Sequence, residues 1–390
     1  MSKITLALTG AHAVAEAMRQ INPGVVALFP ITPQTPIVEK YSEYYANGVV
    51  DTELVRSESE HSAMSIVMGA QAAGVRAMTA TSSQGLAYMW EVVGATAGLR
   101  LPIVMPVTNR ALGAPINIHC DHADSMYCRD LGWIHLFCET AQEAYENTLL
   151  AIRLAEKVSL PVMVLQDGFI TSHSVERVDI LDDVSAKKFI GEYKPNNPLI
   201  NTDYPKTVGP IQLQDYYFET QYQGTIAIES VFEEYLKIGK ELEKLTGTKY
   251  ELFEEYKLED AEVAIIVSSS TSGTTKEVID RMRNEGKKVG LLNIKLYRPF
   301  PYEAIAKALN HFNLNNIAVL DRALSRGAMP PLYTDIKLSV SSLNKIPKIQ
   351  SYVFGLGGRD IIQKDIEEVF ESLLKGKVKE NKTEYIGLRK

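Results

Sequence analysis

Short, mostly apolar runs at 25–29, 77–80, 103–107 and 162–166, and again at 263–267, 289–294 and 317–320, recur between longer helix-forming stretches. A continuous apolar run of this length suits a strand buried on both faces. Strands that alternate with helices imply a mostly parallel sheet covered by helices on each side. The expected class is therefore α/β. In the first half a strand at 4–8 turns at Thr9-Gly10 into an alanine-rich helix over 11–21. Residues 54–55 are extended, and helices are expected at 60–74, 86–99 and 141–158, the last closed by Pro161. Thr35 reads as an N-cap with Pro36 at the first helical position.

Periodicity fades over 178–206, which holds Lys187-Lys188, Pro195, Pro198 and Pro205 and reads as a wrapping connection. Tyr216, Tyr217 and Tyr222 form an aromatic packing or interface patch, followed by a charged amphipathic helix over 226–245. A second α/β unit starts near 261, with a small-residue turn at 268–273, a helix at 274–284 and a last strand at 351–354. The lysine-rich tail, 375–390, reads as a solvated terminus.

With 390 residues and 45% hydrophobic content the chain can bury two or three domain cores without disulfides. Its three cysteines, Cys120, Cys128 and Cys138, are too few for a secreted disulfide framework. The charge is 41 − 48 = −7, which argues against nucleic acid as a partner. Residues 1–10 carry no signal-peptide pattern, and no apolar run is long enough to cross a membrane, so the cytoplasm is the expected location.

Three segments could carry chemistry. In Arg56-Ser57-Glu58-Ser59-Glu60-His61-Ser62-Ala63, Glu60 opens a helix of small residues that a ligand or a second chain can approach closely. The plainer alternative is an acid that only complements the helix dipole. In Phe29-Pro30-Ile31-Thr32-Pro33-Gln34-Thr35-Pro36, three prolines hold Thr32 in a rigid turn beyond a strand end, where open parallel sheets place ligands. An ordinary proline-rich helix entry would look the same. Arg110 also follows a buried strand and can grip a carboxylate through two parallel hydrogen bonds, or serve in a structural ion pair. The loop beyond it holds His119, Cys120, Asp121, His122 and Asp124, but without zinc-ligand spacing, so no metal site is assigned.

Some motifs are missing. Three cysteines cannot ligate an iron–sulfur cluster through four thiolates, and no Walker loop occurs. Asp167-Gly168 follows Gln166, so there is no Gly-Asp-Gly segment with a following asparagine to hold magnesium and a diphosphate. Gly355-Leu356-Gly357-Gly358 is not a dinucleotide fingerprint.

Taken with Ala-Thr-Ser-Ser-Gln-Gly-Leu (80–86), Asn-Arg-Ala-Leu-Gly-Ala-Pro-Ile-Asn-Ile (109–118), Asp-His-Ala-Asp-Ser (121–125) and Leu-Pro-Val-Met-Val-Leu-Gln-Asp-Gly-Phe (160–169), these segments resemble the α subunits of the pyruvate:ferredoxin oxidoreductase family. Tyr-Arg-Pro-Phe-Pro (297–301), Val-Leu-Asp-Arg (319–322) and Gly-Leu-Gly-Gly-Arg-Asp (355–360) extend the likeness in collinear order. The resemblance implies a pyrimidine-binding thiamine-diphosphate domain with a wrapping extension over 1–230, a connecting helix and linker over 231–255, a transketolase C-terminal-like domain over 256–372 and a tail over 373–390. It implies thiamine diphosphate shared with a β subunit that holds the diphosphate and Mg2+, and 4Fe–4S clusters on γ and δ partner chains.

The implied reaction is oxidative decarboxylation of pyruvate with CoA to acetyl-CoA, or its reverse, with ferredoxin or flavodoxin as electron carrier. Glu60 matches the carboxylate that contacts the aminopyrimidine ring nitrogen, where a shared proton favours the imino form of the neighbouring amino group; the cofactor supplies the hard chemistry. Thr32 and Arg110 match residues that bind the 2-oxoacid, and Ser83 and Gln84 match cavity lining at the cofactor. Related α subunits serve 2-oxoisovalerate, 2-oxoglutarate, indolepyruvate and oxalate. Thr32 in place of a second basic residue suits a monoanion, although His119 and His122 are near in sequence. A non-oxidative thiamine-diphosphate enzyme subunit remains the reading from another class.

Overall fold

The computed structural model describes residues 3–196, 198–312 and 314–389. Met1 and Lys390, at the ends of the N-terminal and tail segments read above, lie outside the described residues, as does Asn197 of the expected wrapping connection. The first part of the chain forms β1 (Lys3–Thr9), α1 (Gly10–Ile21), β2 (Val25–Leu28), α2 (Thr35–Ala46), β3 (Glu53–Arg56), α3 (Glu60–Ala73), β4 (Ala77–Met78), α4 (Ser83–Tyr88), α5 (Trp90–Gly98) and β5 (Val104–Asn109). It continues through α6 (Ala123–Tyr127), β6 (Ile134–Cys138), α7 (Ala141–Val158), β7 (Val162–Asp167), β8 (Val175–Leu181), α8 (Asp183–Ile190), α9 (Tyr217–Glu229) and α10 (Val231–Thr246). The remainder forms β9 (Phe253–Tyr256), β10 (Val263–Ser268), α11 (Thr271–Asn284), β11 (Val289–Ile294), β12 (Leu296–Arg298), α12 (Tyr302–Phe312), β13 (Asn316–Asp321), α13 (Pro331–Val340), β14 (Lys348–Val353), α14 (Gln363–Leu374) and β15 (Thr383–Tyr385).

Two large sheets carry the molecule. The first runs β12-β6-β7-β5-β4-β2-β3 and is parallel except for β12. Every residue of β5, β6 and β7 is buried, as continuous apolar runs demand of strands covered on both faces. The second runs β15-β14-β13-β10-β11-β9. β12 belongs to the second half of the sequence but closes the edge of the first sheet against β6, so the two layers share a border. Tyr297 from this strand packs edge-on against Phe137 at 5.8 Å. Among the described residues no helix is long and apolar enough to cross a membrane.

Several expectations change. The strand at 4–8 does not enter the main sheet; β1 pairs antiparallel with β8 in a two-stranded ribbon. The segment read as a wrapping connection thus begins within β8 and holds α8, which is capped by Asp182 accepting from Ser185 N. The helix expected over 86–99 begins at Ser83 and is two helices joined at Met89. The helix expected over 226–245 is likewise interrupted at Ser230. Thr35 lies inside α2 and caps nothing; Gln34 is the N-cap residue, and its side chain donates instead to the carbonyl of Ala80 at 3.0 Å. The tail is not wholly solvated, since Thr383–Tyr385 adds a parallel edge strand to β14.

The aromatic patch does not pack inside the chain. Ile211 is 93% exposed, Phe218 78%, Tyr216 70% and Tyr222 63%. Single exposed apolar residues are ordinary, whereas several on one segment set it apart from the rest of the surface.

Candidate active site

Loops at the carboxyl ends of adjacent parallel strands bring the candidate residues to one edge of the first sheet, where such sheets bind ligands. β2 leads to Thr32, β3 to Glu60, β4 to Ser83 and β5 to Arg110. Glu60 is the first residue of α3, whose N-cap, Ser59, accepts from Ser62 N at 3.2 Å. The Glu60 residue is 9% exposed. Among the described residues its carboxylate accepts no hydrogen bond. A nearly buried carboxylate that no protein donor engages is open to a ligand's donor.

The space beside Glu60 is made by Gly85. A Cβ there would stand 2.8 Å from Glu60 Cγ and 2.5 Å from Thr81 Oγ1. Thr81 Oγ1 is itself buried without a hydrogen-bond partner. Gly85 follows Ser83 and Gln84, which start α4. Ser83 is buried at φ +47°, a left-handed conformation that serine seldom adopts. Its hydroxyl reaches Ala111 O at 2.5 Å, and its N–H donates to Asp124 Oδ2 at 2.9 Å. Gln84 is half-buried and bonds the Ser83 hydroxyl.

Arg110 and Thr32 come together. Arg110 is 5% exposed; its Nη1 donates to Thr32 O at 2.9 Å and its Nε to Asn117 O at 3.0 Å. Among the described residues its Nη2 has no partner, which leaves two N–H groups for an anion. Burial draws the guanidinium's pKa down, with Asp124 opposing. Thr32 is exposed, so its hydroxyl is open to a ligand while its carbonyl holds Arg110.

Motif spacing missed a second cluster. The ligand atoms of Cys120, His122 and Asp167 lie within 4.8 Å of one another, all buried. Asp167 comes from the end of β7, far from the loop in sequence. The positive charge there belongs to Arg322, whose Nη1 lies 3.2 Å from Asp167 Oδ2 and 3.6 Å from Cys120 Sγ. His122 Nε2 meets Asp167 Oδ1 at 2.7 Å. Burial opposes ionisation of Asp167, yet Arg322 and His122 hold its carboxyl well below the usual range. Burial, and then the Asp167 charge, push the Cys120 thiol well up. The chemistry is that of a buried ion pair joining the second unit to the first.

The second unit also braces the loop after Arg110. Gly357 and Gly358 adopt φ +61° and +77°. Gly358 N donates to Cys120 O at 2.6 Å and Asn117 Nδ2 to Gly357 O at 3.2 Å. Side chains at these glycines would strike Asn117 and His119. The glycine-rich stretch is there for close backbone approach, not for phosphate.

Comparison with known proteins gives consistent matches. Residues 16–239 match the family described as "Pyruvate flavodoxin/ferredoxin oxidoreductase, thiamine diP-bdg", and residues 261–366 match "Pyruvate:ferredoxin oxidoreductase core domain II". The chain is 54% identical to pyruvate synthase subunit PorA of Thermotoga maritima, over 98% of each chain. It is 42% identical to the PorA subunit of Methanocaldococcus jannaschii, over 98% of this chain and 97% of that one. Its fold is similar to a 2-oxoglutarate:ferredoxin oxidoreductase from Magnetococcus marinus, with a TM-score of 0.71 at 20% identity. That match covers 96% of this chain and 65% of the other.

Proposed function

The chain belongs to the pyruvate:ferredoxin oxidoreductase family, and on that premise we propose that it is the α-type subunit of a pyruvate synthase, supplying the aminopyrimidine side of a shared thiamine-diphosphate site. The enzyme decarboxylates pyruvate oxidatively with CoA, or runs in reverse, and ferredoxin accepts the electrons. The observation that carries the reading is Glu60, a nearly buried carboxylate with no hydrogen-bond partner among the described residues, set over the cradle left by Gly85 and the orphaned Thr81 hydroxyl.

These residues fit the cofactor's aminopyrimidine. When bound, thiamine diphosphate supplies a nucleophilic carbon and a sink for the electrons left by decarboxylation. Glu60 would hold a proton against the ring nitrogen, the contact through which this chain would help activate the cofactor's reacting carbon. Arg110 turns its free Nη2 toward the 2-oxoacid carboxylate, and its bonds to Thr32 O and Asn117 O hold the guanidinium plane in place. The Thr32 hydroxyl bonds the same carboxylate. That carboxylate leaves as carbon dioxide, so one guanidinium edge and one hydroxyl suffice; tighter contacts would stabilise the ground state. Ser83 and Gln84 line the cavity beside Glu60.

The diphosphate and Mg2+ sit on a β subunit, and the iron–sulfur clusters on γ and δ subunits. The absence of a Gly-Asp-Gly segment and the count of three cysteines favour this division. The exposed apolar segment around Phe218 and Tyr222 suits a chain that works inside an assembly. The test is reconstitution. The full complex reduces a viologen dye only when pyruvate and CoA are both present, and a panel of 2-oxoacids ranks pyruvate first. Dye reduction by this chain alone would overturn the half-site reading.

A further inference from the structure

We infer that Asp124 is a positioning residue of the 2-oxoacid site, a buried carboxylate that ties the turn seating Glu60 to the strand end carrying Arg110. The inference rests on the reading of Arg110 given above and adds to it the part that sets Arg110's place.

Asp124 is 1% exposed and accepts four hydrogen bonds. Oδ2 takes Ser83 N at 2.9 Å and Arg110 N at 3.0 Å. Oδ1 takes Asn109 Nδ2 and Ser125 N, each at 2.8 Å. Three of the four donors are backbone N–H groups, which cannot rotate to find another acceptor. Ser83 stands at the start of α4 and Arg110 just beyond β5, on separate strand ends. One oxygen atom therefore sets the spacing between them. Ser83 needs such a hold, because its φ of +47° costs about 1–3 kcal/mol for a residue with a Cβ. On its far side the turn continues through Gln84 to Gly85, against which Glu60 rests. Asp124 thus spans the distance from the cofactor carboxylate to the substrate cation without touching either ligand.

Only a carboxylate meets this demand. It has about four acceptor sites, whereas an amide has two and would turn an NH2 group toward two of the donors. Asn is nearly isosteric with Asp, so Asp124→Asn removes acceptors without opening a cavity. With its four acceptor positions taken by protein donors, Asp124 is placed as a spacer.

The experiment is a double-mutant cycle in the assembled holoenzyme, with Asp124→Asn and Arg110→Ala alone and together. Asp124→Asn is expected to lower kcat/KM for the 2-oxoacid by about 10–100-fold, as misplacement of a positioning group does. Added to Arg110→Ala it should cost clearly less than the product of the two single losses, because the guanidinium that Asp124 positions is already gone. Losses that multiply would overturn the inference. An unchanged kcat/KM in Arg110→Ala alone would instead overturn the substrate role of Arg110, a distinguishable failure. If Asp124→Asn does not assemble, the cycle is run with Asn109→Ala, which removes one donor to Asp124 Oδ1. A smaller loss with the same shortfall from multiplicativity is then expected, and multiplicative losses there would again overturn the inference.

Discussion

Glu60 and Gly85 meet at a distance that leaves no room for a methyl group: a Cβ at position 85 would lie 2.9 Å from Glu60 Oε1. Gly85→Ala should therefore displace the carboxylate or the Thr81 side chain while leaving the sheet intact. Overpacking of this kind typically costs about 1–3 kcal/mol of stability. The larger effect falls on function. A raised apparent Kd for thiamine diphosphate and a reduced kcat, with near-normal melting, are the expected pattern in the reconstituted complex. Normal cofactor affinity in the alanine variant would show that the cradle is elsewhere.

Arg110 and Thr32 make separable contributions, because Arg110 is held by the Thr32 carbonyl and not by its hydroxyl. Arg110→Ala should lower kcat/KM for pyruvate by roughly 10–100-fold, as expected for loss of a hydrogen bond to a charged group. Thr32→Val keeps the carbonyl and should lose less. Steady-state kinetics across several 2-oxoacids measures both. Equal effects from the two variants would contradict the division of roles.

The pair of Arg322 and Asp167 predicts stability and its pH dependence. Both are buried, and Arg322 reaches Asp167 across the border between the two units at 3.2 Å. Arg322→Met removes the guanidinium and leaves Asp167 with His122 and Ser270 as its remaining partners, at a cost of up to about 3–5 kcal/mol. The carboxyl of Asp167 is held below its usual range in the folded chain. Its contribution is therefore complete above the ordinary aspartate value, near ~3.9, and is lost as the pH falls through that value toward the depressed one. Acid unfolding of the parent should steepen below about pH 4, and that steepening should shrink in Asp167→Asn. Parallel unfolding curves for the two would exclude the linkage.

How much of this was legible in the sequence depended on whether a feature was local. The helix read over 141–158 is α7, Ala141–Val158, and the strand read over 289–294 is β11. Both have periodic patterns and clear ends. β15 was not legible, because nothing in a lysine-rich tail announces that β14 offers it a parallel edge. The break at Met89 was hidden by apolar periodicity running through both helices. At the site, Thr32 and Arg110 could be placed beyond strand ends and Glu60 at a helix start, but their roles were legible only through the family resemblance. Asp124 did not stand out, since its value lies in bonds to Ser83 and Arg110 that only the folded loops create. The Asp167–Arg322 pair, 155 residues apart, has no spacing signature at all.

The central claim is that Glu60 activates a cofactor whose diphosphate another subunit holds. Hydrogen–deuterium exchange at C2 of thiamine diphosphate, measured in the assembled complex with Glu60→Gln, tests it directly. Gln keeps the shape but cannot carry the shared proton. The account predicts exchange slowed by at least about 10²-fold, within the usual contribution of general acid–base catalysis, with cofactor still bound. Exchange as fast as in the parent complex would contradict it.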